Sequence, residues 1–348
     1  MKGYEKMKKQ NVSAVIYALS AALFYALNIP CSKLLLEHIP PTFMAGILYL
    51  GAGFGVSIMY FFHYKKESSE ERLEKNDLPY TIGMIILDIA APVLLMLGIH
   101  IGSSANATLL GNFEIVATSL IAFAIFKEKI SKYLCYAIFL ITISSIILSF
   151  SGSNSLVFSL GSLLVLGASV CWGLENNCTR KISQKSTYQI VAIKGLCSGT
   201  GSIIIALVTG EHIPALKYIS FALLLGYVAY GLSIFTYIRA QKSLGAAKTS
   251  AYYAVAPFIG TFLSFVILKE SVSVQYIAAL LIMLAGTVLV VIDTFVYQHK
   301  HEHAHTFTHT HGGSTHSHTI IHSHDHNHYF CSEKHSHTHS IKELEMMI

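Results

Sequence analysis

The chain has 348 residues, of which 53% are hydrophobic and 12% carry a fixed charge. That charged fraction is about half of the ~25% usual in soluble domains, so the composition excludes a soluble globular protein and predicts an integral membrane protein. The net charge of +5 comes from lysines between long apolar runs, and it indicates an orientation in a membrane rather than a nucleic-acid partner.

Ten apolar runs follow one another along the chain. Each is close to the ~20 residues that the core of a bilayer requires. The longest connection, at residues 65–78, is hydrophilic and too short to hold a domain. The predicted spans are residues 12–34, 42–62, 79–97, 105–126, 133–150, 160–178, 188–208, 218–237, 246–268 and 276–297.

Lysine and arginine residues are distributed unevenly over the connections between these spans. With the N-terminus inside the cell, the inner connections carry 17 of them and the outer connections carry three, which are Lys33, Lys217 and Lys269. Because inner loops of membrane proteins are enriched in Lys and Arg, this bias predicts that both termini are cytoplasmic. A different number of spans would reverse the later connections and remove the bias, so the charges support ten spans.

The two halves of the chain resemble each other. An offset of 147 matches residues 24–28 (FYALN) to 171–175 (CWGLE), and an offset of 142 matches residues 127–131 (KEKIS) to 269–273 (KESVS). Five spans per half is an odd number, so the second copy enters the membrane from the opposite side. Inverted repeats of this kind are typical of transporters, although a duplication without alternating access remains an alternative.

Within each half, a stretch of small residues, an apolar helix, a Lys-Glu pair and a second apolar helix follow in that order. This pattern, with Ala256-Pro257 and Gly286 in the second half, resembles the EamA domain of the drug/metabolite transporter superfamily. The first half departs from the pattern, because Glu114-Ile115 stands where the second half has Ala256-Pro257. The departure leaves the subgroup open.

The resemblance covers residues 12–297 and implies an all-α integral membrane bundle of ten helices. It also implies cytoplasmic termini and a substrate cavity between the two halves. The predicted organisation is therefore a first five-helix repeat at residues 1–150, a second, inverted repeat at 151–297 and a disordered, His-rich cytoplasmic tail at 298–348. The substrates of the superfamily are too diverse for the fold to identify one.

Ionisable residues inside apolar spans are the strongest candidates for a functional site, because each costs several kcal/mol in lipid and must face the interior of the bundle. Asp88 is predicted about 13 Å from the inner end of the third span, and Glu114 about 19 Å from the inner face, at ~1.5 Å per residue. Both depths are near the middle of the bilayer, where transporters bind their substrates. Such a carboxylate could carry a proton, bind a cationic substrate or join two helices.

Three further polar residues complete the predicted substrate or coupling site. Glu175 and Lys194 are predicted at similar depth near the inner face, where an ion pair or extension towards the interface satisfies them. Asn112 could contact substrate or bridge two helices.

The tail carries fifteen histidines between His299 and His339, mostly in His-x-His repeats. Neutral imidazole suits zinc, nickel and copper, so the tail is predicted to bind zinc or nickel flexibly, with a solvated low-complexity segment as the alternative. The predicted ligands are His299, His301, His303, His305, His322, His324, His326, His328, His335, His337 and His339.

The predicted function is a multi-pass secondary transporter of a small organic metabolite in the cytoplasmic membrane, with proton coupling left open. The rival functions are a divalent metal exporter fed by the tail and a non-transporting metal sensor. An enzyme is not predicted, because the sequence shows no protease-like carboxylate pair, no phosphate-binding loop and no nucleophile–base pair. The expected partners are the substrate, the lipid bilayer and divalent metal ions, without nucleic acid or a required cofactor, and a homodimer remains open.

Overall fold

The computed structural model describes residues 2–63, 72–127, 130–150, 159–182, 185–244, 249, 252–311 and 314–329. Its α-helices are α1 (Lys2–Ala26), α2 (Asn28–Leu35), α3 (Pro41–His63), α4 (Leu78–Ile101), α5 (Ser104–Leu110), α6 (Phe113–Phe126), α7 (Lys132–Ser149), α8 (Leu160–Ile182), α9 (Thr187–Ile193), α10 (Gly199–Val208), α11 (Leu216–Gly226), α12 (Ser233–Leu244), α13 (Ala256–Leu268) and α14 (Val274–Phe295). A 3-10 turn (Lys75–Asp77) precedes α4, and π-helical segments join α9 to α10 (Lys194–Ser198) and α11 to α12 (Tyr227–Leu232).

Eight of the predicted spans coincide with helical stretches that are long and apolar enough to cross a membrane. The sixth predicted span is α8, which has sufficient length but ends in a polar segment around Glu175 and Arg180. The ninth contains α13, an apolar helix of 13 residues. The structure therefore shows a helical membrane protein with eight candidate spans, and the count of ten stays a prediction.

The two halves share two local features of the backbone. In the first half a turn at Gly111-Asn112 separates α5 from α6, and in the second a turn at Ala254-Val255 precedes α13. Lys127 and Lys269, which are 142 positions apart, end α6 and α13 with φ values of 54° and 53°. Among the described residues they alone, apart from glycine, have positive φ, a conformation that commonly ends helices. The helix cap is thus repeated at the offset of 142 found in the sequence, and the two turns lie 143 positions apart.

Close packing of small residues holds α3 against the helices of the second half. A Cβ atom added at Gly226 would overlap the carbonyl oxygen of Leu48, and one added at Gly51 would overlap that of Leu223. Membrane helices gain little from hydrophobic transfer between one another, so close backbone approach at glycines supplies much of their attraction. The π-helical segments that carry Lys194 and Tyr230 lie directly against this surface of α3.

Polar contacts join the connections at each end of the bundle. At the predicted outer end, the Glu270 carboxylate accepts hydrogen bonds from residues 103–105, at 2.7–2.9 Å, and Lys33 donates to three carbonyl oxygens at the end of α4. At the predicted inner end, Lys185 Nζ lies 2.6 Å from Glu74 Oε1. The hydrogen bond that the Lys185 ammonium donates to the Glu74 carboxylate raises the pKa of Lys185 above its ordinary value. These contacts pair connections that are predicted to lie on the same side of the membrane.

The tail differs from the prediction of a disordered segment. Residues Val296–His311 (β1) and Ser314–Tyr329 (β2) form an antiparallel two-stranded sheet. The His-x-His pattern has the period of two that strands require, and Gly312-Gly313 is a dipeptide typical of hairpin turns. Interpreting the repeats only as metal ligands in a polar segment leaves this period of two unused, so the strands were not predicted. The chain divides into two compact units, residues 1–291 and residues 292–348.

Candidate functional site

Three charged residues predicted separately from the sequence meet inside the bundle. The Lys194 Nζ lies 3.0 Å from Asp88 Oδ2 and 3.0 Å from Glu175 Oε1. The Asp88 and Glu175 side chains are 0% and 3% exposed, whereas that of Lys194 is 14% exposed. Lys194 therefore has the least buried side chain of these three residues, which we call the charged triad.

Three helical elements position the triad. Asp88 lies on α4 and Glu175 on α8, which pack along each other. Lys194 is the first residue of a π-helical segment. Such segments are rare and occur frequently at functional sites, because the extra residue per turn redirects a side chain. The predicted ion pair between Glu175 and Lys194 is present, and Asp88 extends it.

Aromatic residues extend the triad by hydrogen bonds. The Tyr49 hydroxyl donates to Asp88 Oδ1 at 3.0 Å, and Trp172 Nε1 donates to the Tyr49 oxygen at 3.4 Å. The ring centroids of Tyr230 and Tyr49 are 5.2 Å apart. The Asn28 side chain donates a hydrogen bond of 2.8 Å to the Tyr230 hydroxyl. Sequence reasoning missed Tyr49 and Tyr230.

Glu114 lies in the first turn of α6, directly after the interruption between α5 and α6. Its carboxylate accepts a hydrogen bond of 2.6 Å from Asn176 on α8, and Asn176 also approaches the Thr118 hydroxyl at 3.3 Å. Asn176 is the next residue after Glu175 on α8. The fourth predicted residue thus belongs to the same polar region as the triad.

Asn112 occupies the interruption itself. Its side chain is 3% exposed, and its Nδ2 atom has no hydrogen-bond partner among the described residues. A buried donor without a partner costs about 1–3 kcal/mol, so the position is costly unless something else accepts its hydrogen bond. The five predicted site residues therefore lie on α4, on α8, at the start of a π-helical segment and around one broken helix.

The repeat gives the site a partial twofold relation with unequal charge. At the offset of 147 that matches residues 24–28 to 171–175, Asn28 corresponds to Glu175. Asn28 donates a hydrogen bond to the Tyr230 hydroxyl. At the related position in the second half, Glu175 forms an ion pair with Lys194, which also forms one with Asp88. The contact at Asn28 is therefore between neutral groups, whereas the contact at Glu175 is between charged groups.

Carboxylates outnumber ammonium groups in this region. When ionised, Asp88 and Glu175 together exceed Lys194 by one negative charge, and Glu114 adds a second. Negative charge away from water requires compensation, either by a proton or by a cation. Broken helices and charged side chains near the centre of a bundle are the usual elements of transporter binding sites.

The predicted metal ligands divide into two groups. His299, His301, His303, His305, His322, His324, His326 and His328 lie on β1 and β2, where the structure defines the backbone. His335, His337 and His339 lie outside the described residues. Among the side chains that are described, which end at residue 293, no group of three His, Cys, Asp or Glu residues is arranged to hold a metal ion.

Comparisons with known proteins agree with this architecture. The EamA-like transporter family matches the chain twice, over residues 12–150 and 159–292. The chain is 25% identical to an uncharacterized transporter of Methanothermobacter thermautotrophicus over 78% of its own length and 84% of that protein. It is 24% identical to the uncharacterized transporter YyaM of Bacillus subtilis over 80% and 93% of the two lengths. A crystal structure with 15% identity matches 81% of the chain and 97% of that protein at a TM-score of 0.60, which shows the fold alone.

Proposed function

Since the chain belongs to the EamA-like transporter family, we propose that it moves a small organic metabolite across the cytoplasmic membrane as a proton-coupled secondary transporter. Family membership and the apolar helices make it a multi-pass membrane protein that works in a lipid bilayer. Family membership does not identify the substrate or the coupling ion, and both are part of the proposal.

The excess of carboxylates around Lys194 carries the proposal. Asp88, Glu175 and Glu114 exceed the ammonium by two charges when all are ionised, and Glu114 accepts a hydrogen bond from the neutral amide of Asn176. Such a site is favourably occupied by a positive group or by protons, and the two compete for the same oxygens. We therefore expect a substrate that bears a positive charge, such as an organic amine, exchanged for protons.

Aromatic rings beside the carboxylates favour an organic cation over a metal ion. Tyr25, Tyr49, Tyr230 and Tyr253 form a chain of ring contacts with centroid distances of 5.2–5.9 Å. Aromatic faces attract ammonium groups by cation–π interaction, which adds to the charge attraction of a carboxylate. A dehydrated divalent ion would instead require several oxygen or imidazole ligands around one point.

Alternating exposure of this site would follow from the inverted halves. The same fold in two orientations can exchange roles, so that each half in turn opens towards its side of the membrane. The turn between α5 and α6 and the two π-helical segments already interrupt regular α-helix. The backbone can therefore change conformation there without disrupting a continuous helix.

A comparative solute profile tests the proposed function. Metabolites and metals are measured in cells and medium for a deletion strain, the same strain with the wild-type chain, and the strain with Glu114→Gln. We expect a small number of amine-containing metabolites to change with the wild-type chain and to return to the deletion level with Glu114→Gln. A change confined to zinc or nickel would favour the metal exporter, and no change in any solute would favour a non-transporting protein.

A further inference from the structure

The register of the tail hairpin separates its histidines onto one face. In an antiparallel pair, directly opposed residues share a face, and every second residue along each strand shares it too. The odd-numbered residues of β1 therefore share a face with the even-numbered residues of β2. That face, which we call the histidine face, contains His299, His301, His303, His305, His309, His311, His316, His318, His322, His324, His326 and His328.

The other face of β1 and β2 contains none of the histidines of these strands. It carries Thr, Ser, Asn and Gln residues, one directly opposed pair of opposite charge, and several other residues; the pair is Lys300 with Asp325, and the others are Val296, Glu302, Ala304, Ile321 and Tyr329. The segregation follows from two independent features, the His-x-His spacing and a register that pairs odd with even positions. Shifting the register by one residue would place the histidines of the two strands on opposite faces.

Four histidine pairs are directly opposed across the strands. They are His299 with His326, His301 with His324, His303 with His322, and His309 with His316. Opposed residues of an antiparallel pair have Cβ atoms about 4.5–5.5 Å apart, and the next residues on the same face follow at roughly 7 Å. Neighbouring pairs thus bring four imidazole-bearing positions, from segments far apart in sequence, within the reach of one metal ion.

We propose that the histidine face binds borderline divalent cations such as zinc and nickel, with opposed pairs supplying ligands from both strands. Tetrahedral zinc takes four ligands, and neutral imidazole nitrogen is among those it prefers. The site differs from a flexible chelator, in which each His-x-His unit would bind independently of the other strand. It is also independent of the proposed transport function.

Binding and strand pairing stabilise each other in this arrangement. A two-stranded hairpin alone is marginally stable in water. A ligand that binds only the paired form shifts the equilibrium towards it. Metal bound across the strands therefore fastens β1 to β2, and the paired form binds metal more tightly than the unpaired segment.

A strand-specific exchange of neighbouring residues tests the site in the full-length protein. The first variant moves two histidines of β1 to the other face without changing composition; its substitutions are His301→Glu, Glu302→His, His303→Ala and Ala304→His. The second variant adds the matching exchange in β2, which restores two opposed pairs on that face; the added substitutions are Ile321→His, His322→Ile, Ser323→His and His324→Ser. Zinc binding to each purified, metal-free protein is measured by competition with a colorimetric chelator.

We expect the first variant to lose the binding contributed by two of the four opposed pairs, with a correspondingly smaller number of tightly bound zinc ions. The second variant should recover tight binding relative to the first, because its opposed pairs are restored. Equal binding by the first variant and the wild type would overturn the proposal, since it would show that composition alone determines affinity. Failure of the second variant to exceed the first would also overturn it.

Discussion

Lys194 is held between two carboxylates that have almost no exposed surface. Taking charges out of water is costly, and their mutual attraction offsets the cost only while every partner is present. Lys194, whose side chain is the least buried of the three, is the member that a substrate or a proton could displace from its partners. At the scale of single residues, the site is therefore an ion cluster in which one partner can be exchanged.

Removing the ammonium should destabilise the protein. Lys194→Met leaves Asp88 and Glu175 buried side by side, and breaking a buried pair in this way costs about 3–5 kcal/mol. Thermal unfolding of the purified protein in detergent would show this as a lower midpoint. Adding Asp88→Asn and Glu175→Gln to Lys194→Met should raise the midpoint again, because no unpaired charge remains. A midpoint of Lys194→Met equal to that of the wild type would mean that the charges are not buried together.

Glu114 should carry the pH dependence of transport. Glu114→Gln keeps a hydrogen-bond acceptor for Asn176 but can no longer gain or lose a proton. We expect a folded protein in the membrane whose residual transport does not vary with pH. Glu74→Gln, which alters a carboxylate at the predicted inner end, is the matched control and should keep the wild-type profile. If the pH profile of Glu114→Gln equals that of the wild type, Glu114 has no role in proton coupling, and its function is to join two helices.

At the scale of elements, glycines determine how closely α3 approaches the second half. The Gly226 position faces the backbone carbonyl of Leu48, which cannot move aside as a flexible side chain can. Lys194 and Tyr230 lie on π-helical segments against this surface. Their positions therefore depend on the close backbone contact.

A methyl group at this contact should be costly. Gly226→Ala forces α3 and α11 apart, and overpacking of a well-packed interior typically costs about 1–3 kcal/mol. Gly167→Ala is the control, because a Cβ there meets a Leu94 side-chain atom at an ordinary 3.5 Å. Thermal unfolding should show a lowered midpoint for Gly226→Ala and little change for Gly167→Ala. Similar midpoints for both would contradict the close contact.

The positions of the helices along the chain could be predicted from the sequence better than the composition of the candidate site could. Apolar length locates most helices, and charge inside apolar spans identifies Asp88, Glu175 and Lys194 one by one. Their meeting depends on contacts between α4, α8 and a π-helical segment, which hydropathy does not encode. Tyr49 gave no signal, since tyrosine in an apolar span is more often a residue at the membrane interface. The hairpin was not predicted, because the period of two in the His-x-His repeats was interpreted only as a spacing of metal ligands.

At the scale of the whole molecule, the distribution of lysine and arginine predicts the orientation. Cysteine introduced at Lys217 or Lys269 should react with an impermeant maleimide in intact cells, because both positions are predicted outside. Cysteine at Lys185 should react only after permeabilisation. Labelling of the Lys217 and Lys269 positions only after permeabilisation would reverse the orientation or change the number of spans.

The tail should be dispensable for transport of an organic substrate. A bundle in lipid is stabilised by burial in the bilayer and by helix packing, and neither depends on the polar residues after Gln298. A chain that ends at Gln298 should insert and should give the same change in the solute profile as the wild type. Loss of transport with normal expression would make the metal exporter the better account.

Proton movement driven by substrate tests the central claim most directly. Purified protein is placed in liposomes that contain a pH-sensitive dye, and the amine identified by the solute profile is added outside. If substrate and protons compete for the carboxylates around Lys194, entry of the substrate should expel protons and raise the pH inside the vesicles. Glu114→Gln vesicles should show little of this rise. Uptake of the substrate by wild-type vesicles with no change in internal pH would contradict proton coupling through this site.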